Sequence, residues 1–139
     1  MLNNVIQGNN IKIIEPVNLY GCQLKDDVFV GPFVEIQNDV TVGERTRIQS
    51  HSFICSNVTI GADCFIGHGV MFTNDKFVDR QLSKDFLPTI LGNKVYVGSN
   101  SSILPVSICD DVVIGAGSVV TKNITESGTY AGNPARKLK

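Results

Sequence analysis

The sequence predicts an all-β solenoid of short parallel strands, and three observations predict it. Every sixth residue from Leu24 to Phe72 is large and apolar: Leu24, Val30, Ile36, Val42, Ile48, Ile54, Ile60, Ile66 and Phe72. The residues two places earlier, Cys22, Val28, Val34, Val40, Thr46, Ser52, Val58, Cys64 and Val70, are all small or β-branched. The period does not slip across this stretch, whereas an amphipathic helix would recur at about 3.6 residues and a hairpin sheet would be broken by turns of varying length. A period this strict is the mark of a repeat architecture.

Each element follows from that period. Residues two apart on a strand point to the same side, so the large and small series share one face, and that face is the interior. Six residues make one short strand and one corner. Three of each close a triangular coil of about eighteen residues, which buries its apolar side only against neighbouring coils. Gly31, Gly43, Gly61 and Gly67 follow the large apolar residue, and they are expected to supply the unusual dihedrals of the corners.

The register begins at Ile13, Val17 and Leu19, and the step from Leu19 to Leu24 is one residue short. The first coil is therefore expected to be irregular and to act as a cap. After Asp75 the repeat stops for an excursion over 76–89 that carries Phe77, Phe86, Leu87 and Pro88, then resumes at Leu91, Val97 and Ile103. A second short step runs from Ile103 to Ile108 beside Pro105, before Ile114 and Val120 close the last coils. The count is about six coils, or roughly 30 Å of prism at about 4.8 Å per coil, with one extruded loop and a short carboxy-terminal tail.

Composition bounds the function. A chain of 139 residues holds one domain, spanning 1–139. Its 12 basic and 13 acidic residues nearly cancel, and no Lys/Arg cluster stands out, which excludes a nucleic-acid or anionic-membrane surface. No apolar run approaches about eighteen residues and the first ten are too polar for a secretory leader, so the chain reads as soluble and cytoplasmic. Cys22, Cys55, Cys64 and Cys109 contain no CxxC pair, which argues against zinc or disulfide frameworks and for structural thiols in a reducing compartment.

Threading the coils places the chemistry. Val30, Ile48, Ile66, Val97 and Ile114 stack as one column, followed at their corner by Pro32, Ser50, His68, Ser99 and Ala116. His68 is therefore expected above Ser50 and below Ser99. The next corner position carries Phe33, His51, Gly69, Asn100 and Gly117, so the chain's two histidines meet at one edge, one coil apart. A second column ends in Asn38, Ser56, Asn74, Pro105 and Lys122, and Asn74 with Asp75 marks the root of the excursion. A polar pair at the root of a loop is a site candidate.

The repeats from Val58 to Gly69, with Tyr96 to Asn100, Ile114 to Lys122 and the terminal Ala131-Gly-Asn-Pro-Ala-Arg136, resemble the hexapeptide-repeat acyltransferases. That resemblance covers nearly the whole chain and implies a left-handed parallel β-helix, a homotrimer, and acetyl-CoA bound in a groove between neighbouring prisms. The left hand comes from the resemblance, because parallel crossovers are otherwise nearly always right-handed. The segment from Gly67 to Asp75, with its Phe72-x-Asn74-Asp75 element, is similar to a narrower branch that acetylates the 3-amino group of dTDP-linked 3-amino-3,6-dideoxyhexoses for bacterial surface glycans. An amino-terminal nucleotide-binding domain and a fused ketoisomerase domain, found in some members of that branch, are absent from this sequence.

The resemblance assigns roles. Asn74 and Asp75 would hold the amine or the sugar hydroxyls, with Asn38, Phe72 and Phe77 in the sugar pocket, and Phe77 or Phe86 offering stacking surface. His68 or His51 would take the proton of the attacking amine or donate to the thioester oxygen, although the amine can also attack unaided and give its proton to the departing sulfur. Ser99, Ala116 and Gly117 would lie along the pantetheine arm, with Lys122 and Arg136 at the phosphates. A hydroxyl acceptor is the alternative within this class, disfavoured because O-acetyltransferases typically place a histidine where this chain has Asn74-Asp75. A zinc hydratase would need three histidine ligands and the chain has two; no metal is expected. A non-catalytic scaffold would need neither the polar edge nor the terminal element.

Overall fold

A computed structural model describes residues 1–77 and 87–138. The chain winds as a parallel β-solenoid of about seven turns with three faces, as a left-handed β-helix requires. The first face stacks seven strands: Leu2–Asn3, Asn18–Tyr20, Glu35–Ile36, Phe53–Ile54, Met71–Phe72, Ser102–Ile103 and Val119–Val120. The second stacks six, from Ile6–Gln7 to Ser107–Ile108, and the third stacks eight, from Lys12–Ile13 to Ala135–Lys137. Every pairing is parallel except the last, where Ala135–Lys137 folds back antiparallel on Gly128–Gly132. The terminal Gly-Asn-Pro-Ala element is the turn of that hairpin.

Both periodic series point inward. Leu24, Val30, Ile36, Val42, Ile48, Ile54 and Ile66 are 0 % exposed, and the small series from Cys22 to Val70 is buried beside them. The two polar members of the small series are satisfied across coils. Thr46 Oγ1 donates to Gly61 O at 2.7 Å and accepts from Cys64 N at 3.0 Å, while Ser52 Oγ donates to Gly67 O at 2.8 Å and accepts from Val70 N at 3.2 Å. A buried hydroxyl that answers one carbonyl and one amide costs far less than an unpaired one.

Two expectations change. The corner residues with left-handed backbone are not the glycines after the large apolar residue but the residues two places later: Asp27, Phe33, Asp39, Arg45, His51, Asn57, Asp63 and Gly69, all near φ 60°. Gly43 and Gly61 are needed for closeness instead: a Cβ on Gly43 would stand 2.4 Å from the carbonyl carbon of Gly61, and one on Gly61 would stand 2.4 Å from Gly92 O. The amino-terminal coil is one residue short, as the step from Leu19 to Leu24 implies, but it is preceded by a further paired coil. Leu2↔Leu19, Ile6↔Gln23 and Lys12↔Phe29 pair in register, which adds a coil below the six that the spacing counts.

The excursion leaves after Thr73 and returns at Thr89–Leu91 on the second face. Its base is closed by Leu87 N donating to Asn74 O at 3.1 Å and by Thr89 N donating to Asn57 O at 3.0 Å. The expected aromatic at position 86 lies outside the described residues.

Candidate active site

The corner after the third face carries the predicted stack. The backbone pairs Val30↔Ile48, Ile48↔Ile66, Ile66↔Val97 and Val97↔Ile114 bring Pro32, Ser50, His68, Ser99 and Ala116 into one column. His68 Nδ1 lies 3.0 Å from Ser50 Oγ, and the His68 backbone N–H donates to Ser99 Oγ at 3.2 Å. The imidazole is exposed, so Nε2, the nitrogen not engaged by Ser50, is the one available to a ligand. His51 stands one coil below in the left-handed position, φ 66°, with its ring 4.9 Å from the Phe33 ring. Asn100 and Gly117 continue that row with φ 61° and 70°.

At the other end of the strand Met71–Phe72, the root of the excursion bounds a groove of about 550 Å³. Asn74, Asp75, Lys76 and Phe77 form its wall, and Gln37, Phe53, Cys55, Thr73, Ser102 and Leu104 form its floor on the first face. The Asn74 side-chain amide donates to Ser56 O at 3.3 Å and Ser56 Oγ at 3.0 Å, and Asp75 Oδ1 accepts from Phe77 N at 2.7 Å. These bonds turn the chain out of the coil, which is the turn chemistry Asn and Asp supply. Burial pushes the Cys55 thiol up to about 11, so the floor stays uncharged at neutral pH. Asp75 and Lys76 are the charged side chains of the lining.

The structure therefore divides the predicted site residues between two edges of one face. His68, His51, Ser99, Ala116 and Gly117 share one edge; Asn74, Asp75 and Lys122 share the other. The groove lining includes neither histidine, and the six residue steps from His68 to Asn74 span up to about 20 Å when extended. Lys122 stands across the face from Ser99. Arg136 lies nearer that column, because it pairs with Ala131, whose Cβ stands 3.1 Å from where a Cβ on Gly115 would be. Phe72 is 1 % exposed and belongs to the core, so it supports the groove from beneath, while Phe77 is 62 % exposed and lines it directly. Asn38 is exposed, bonds Asp39, and lies outside the lining, where Gln37 takes its place.

Sequence reading missed Gln37, Phe53, Cys55, Ser102 and Leu104. Their signal was weak: they are outward or corner positions one or two coils below, or one above, Met71 to Thr73, and the repeat constrains only the inward ones. Among the described residues, no three of His, Cys, Asp or Glu gather where they could hold a metal ion, and no helix is long and apolar enough to cross a membrane.

Two family descriptions match this chain: the bacterial transferase hexapeptide (six repeats) over residues 21–56, and the hexapeptide repeat of succinyl-transferase over residues 88–122. Together they cover just over half of it, on either side of the excursion. The chain belongs to the hexapeptide-repeat transferase family. The bifunctional protein GlmU of Acinetobacter baylyi is 35 % identical over 120 residues, or 86 % of this chain and 24 % of GlmU. The chain thus spans about a quarter of the length of the curated relatives it matches. The polysialic acid O-acetyltransferase OatWY superposes with a TM-score of 0.74 at 26 % identity, over 99 % of this chain and 74 % of that one. A histidine-to-alanine variant of the GDP-perosamine N-acetyltransferase of Caulobacter crescentus, solved with CoA and GDP-perosamine, shares the fold at 20 % identity and a TM-score of 0.71, over 97 % of this chain and 57 % of that one.

Proposed function

We propose that this chain is an acetyl-CoA-dependent N-acetyltransferase that modifies the 3-amino group of a dTDP-linked 3-amino-3,6-dideoxyhexose for a bacterial surface glycan. One observation carries the reading: a groove walled by Asn74 and Asp75 opens on the same face whose opposite edge presents the Ser50–His68 pair. The Asp75 carboxylate and the Asn74 amide in that wall suit the amine and hydroxyls of an acceptor, and the rings of Phe53 and Phe77 suit a sugar ring.

In the reaction the neutral amine attacks the thioester carbon. The C–N bond forms, the C–S bond breaks, CoA leaves as its thiolate, and the amine proton passes to His68 Nε2 or to the departing sulfur. Holding the partners in contact supplies much of the rate. Ser99, Ala116 and Gly117 offer small side chains along the histidine edge for the pantetheine arm, and Arg136 is the cation near that column.

The separation of the two edges within one chain favours a site built between subunits, where one chain's histidine edge meets another's groove. A homotrimer provides that arrangement. The third face supports it with an exposed apolar ladder: Phe65, Tyr96 and Val113 are 38 %, 50 % and 43 % exposed, and Arg47 lies 4.3 Å over the Phe29 ring in the same outward row.

A second reading, O-acetylation of a sugar hydroxyl, is favoured by the 26 % identity to the polysialic acid O-acetyltransferase. An anionic polymer needs cations, however, and the lining carries one lysine beside one aspartate.

The test is CoA release from acetyl-CoA with dTDP- and UDP-linked 3-amino and 4-amino sugars, a galactoside and polysialic acid. Turnover confined to the dTDP-3-amino sugar is expected; turnover with polysialic acid alone would replace this reading by the second. Asn74→Ala and Asp75→Ala are each expected to raise the acceptor KM about tenfold, the size of one lost polar contact, with acetyl-CoA affinity unchanged. Loss of CoA affinity with sugar affinity intact would remove the assignment.

A further inference from the structure

The two nitrogens of His68 are not equivalent. Nδ1 lies 3.0 Å from Ser50 Oγ, and in a neutral imidazole one nitrogen carries the proton while the other carries the lone pair. A base acting through Nε2 needs its proton on Nδ1. A serine hydroxyl that donates to Nδ1 must release it when the ring becomes an imidazolium, because both nitrogens are then donors. A hydroxyl that accepts Nδ1–H keeps its bond in both states, and the bond strengthens as the ring gains charge.

The column shows where hydroxyls are placed. Ser50 and Ser99 stand one coil below and one coil above His68, binding its ring and its backbone N–H respectively. One coil further out in each direction the position is Pro32 or Ala116, which offer no side-chain hydrogen bond. His51 lacks this framing: its ring is set against Phe33 and its backbone is left-handed.

We infer that Ser50 is the positioning residue of His68: its Oγ accepts Nδ1–H, fixes the ring at the edge, and leaves Nε2 as the nitrogen that takes the acceptor's proton. The inference rests on the acyl-transfer reading for its purpose but not for its test.

The first measurement is the 15N–1H spectrum of the neutral imidazoles in the free protein. Wild type and Ser50→Thr should show His68 protonated on Nδ1, and Ser50→Ala should shift it toward the Nε2-protonated form. A wild-type ring already protonated on Nε2, or a spectrum unchanged in Ser50→Ala, overturns the proposal. In turnover, Ser50→Ala should lower kcat about tenfold, a part of the whole general-base effect, with KM for acetyl-CoA unchanged and with Ser50→Thr restoring kcat. An unaltered kcat in Ser50→Ala overturns the proposal, as does failure of Ser50→Thr to restore it in a folded protein. A wild type silent on every sugar, whose His68 still loses its Nδ1 proton in Ser50→Ala, would remove the proposed acceptor while supporting the role of Ser50.

Discussion

Two edges of this prism share one backbone and differ in everything their side chains do. At the corner after the second face, successive coils place Asp27, Arg45, Asp63, Lys94 and Asp111 in the left-handed position, with φ between 55° and 62°. At the corner after the third face the same position holds Phe33, His51, Gly69, Asn100 and Gly117, with φ between 61° and 70°. The first edge alternates in charge from coil to coil. Arg45 forms two bonds to Asp63, at 2.7 Å and 3.1 Å, and the side chains beside them staple coils as well: Asn93 Oδ1 accepts from Ala62 N and Asp110 Oδ1 accepts from Asn93 N. The second edge stacks an imidazole, hydroxyls and small residues. The corner geometry therefore demands no particular side chain: one edge joins its coils through an ion pair and side-chain amides and carboxylates, the other through Ser50, His68 and Ser99, and it is this second edge that the proposed function uses.

The sharpest way to break this comparison is to remove one residue from each edge. His68→Ala should lower kcat by about 10²–10⁴-fold, the range of general-base catalysis, while Lys94→Ala leaves kcat unchanged in the same CoA-release assay. Equal losses would mean that the edges do not differ in role.

Backbone closeness comes next. Gly61→Ala, on the charged edge, would put a Cβ 2.4 Å from Gly92 O and 2.5 Å from Asn93 Oδ1, and overpacking of this kind costs about 1–3 kcal/mol. Gly117→Ala, on the histidine edge, meets nothing within 4 Å but has φ 70°, so its cost is the left-handed penalty of about 1–2 kcal/mol. Urea midpoints would rank the two, and a Gly61→Ala protein as stable as wild type would show that the coils can spread apart.

The smallest effect belongs to the exposed ion pair. Hydrogen bonding to Arg45 holds the Asp63 carboxyl below its usual range. A carboxyl depressed on folding contributes stability above its unfolded pKa and loses it as pH falls through the folded value. The small difference in melting temperature between wild type and Arg45→Ala should therefore be present at neutral pH, fade in acid, and shrink in high salt. A difference that persists in acid would assign Arg45 a role in packing.

Legibility followed constraint. Inward positions must be apolar and must repeat, so both buried series and the placing of His68 between Ser50 and Ser99 could be read from spacing. The left-handed corner could not, because Asp, Arg, Phe, His, Asn and Gly all occupy it and leave no common chemical mark. The spacing also hid the amino-terminal coil, whose side chains are mostly exposed and need no apolar period.

By itself, then, the sequence determined the solenoid, its three faces, the column of hydroxyls around His68 and the point where the chain leaves the coil, since each follows from a period that the core enforces. Tertiary structure alone decided that Gln37, Phe53, Cys55, Ser102 and Leu104 floor a groove and that Phe72 lies under it. Those facts depend on how the excursion rises from the face and on how far apart the two edges of one strand stand. No repeat in the chain encodes either.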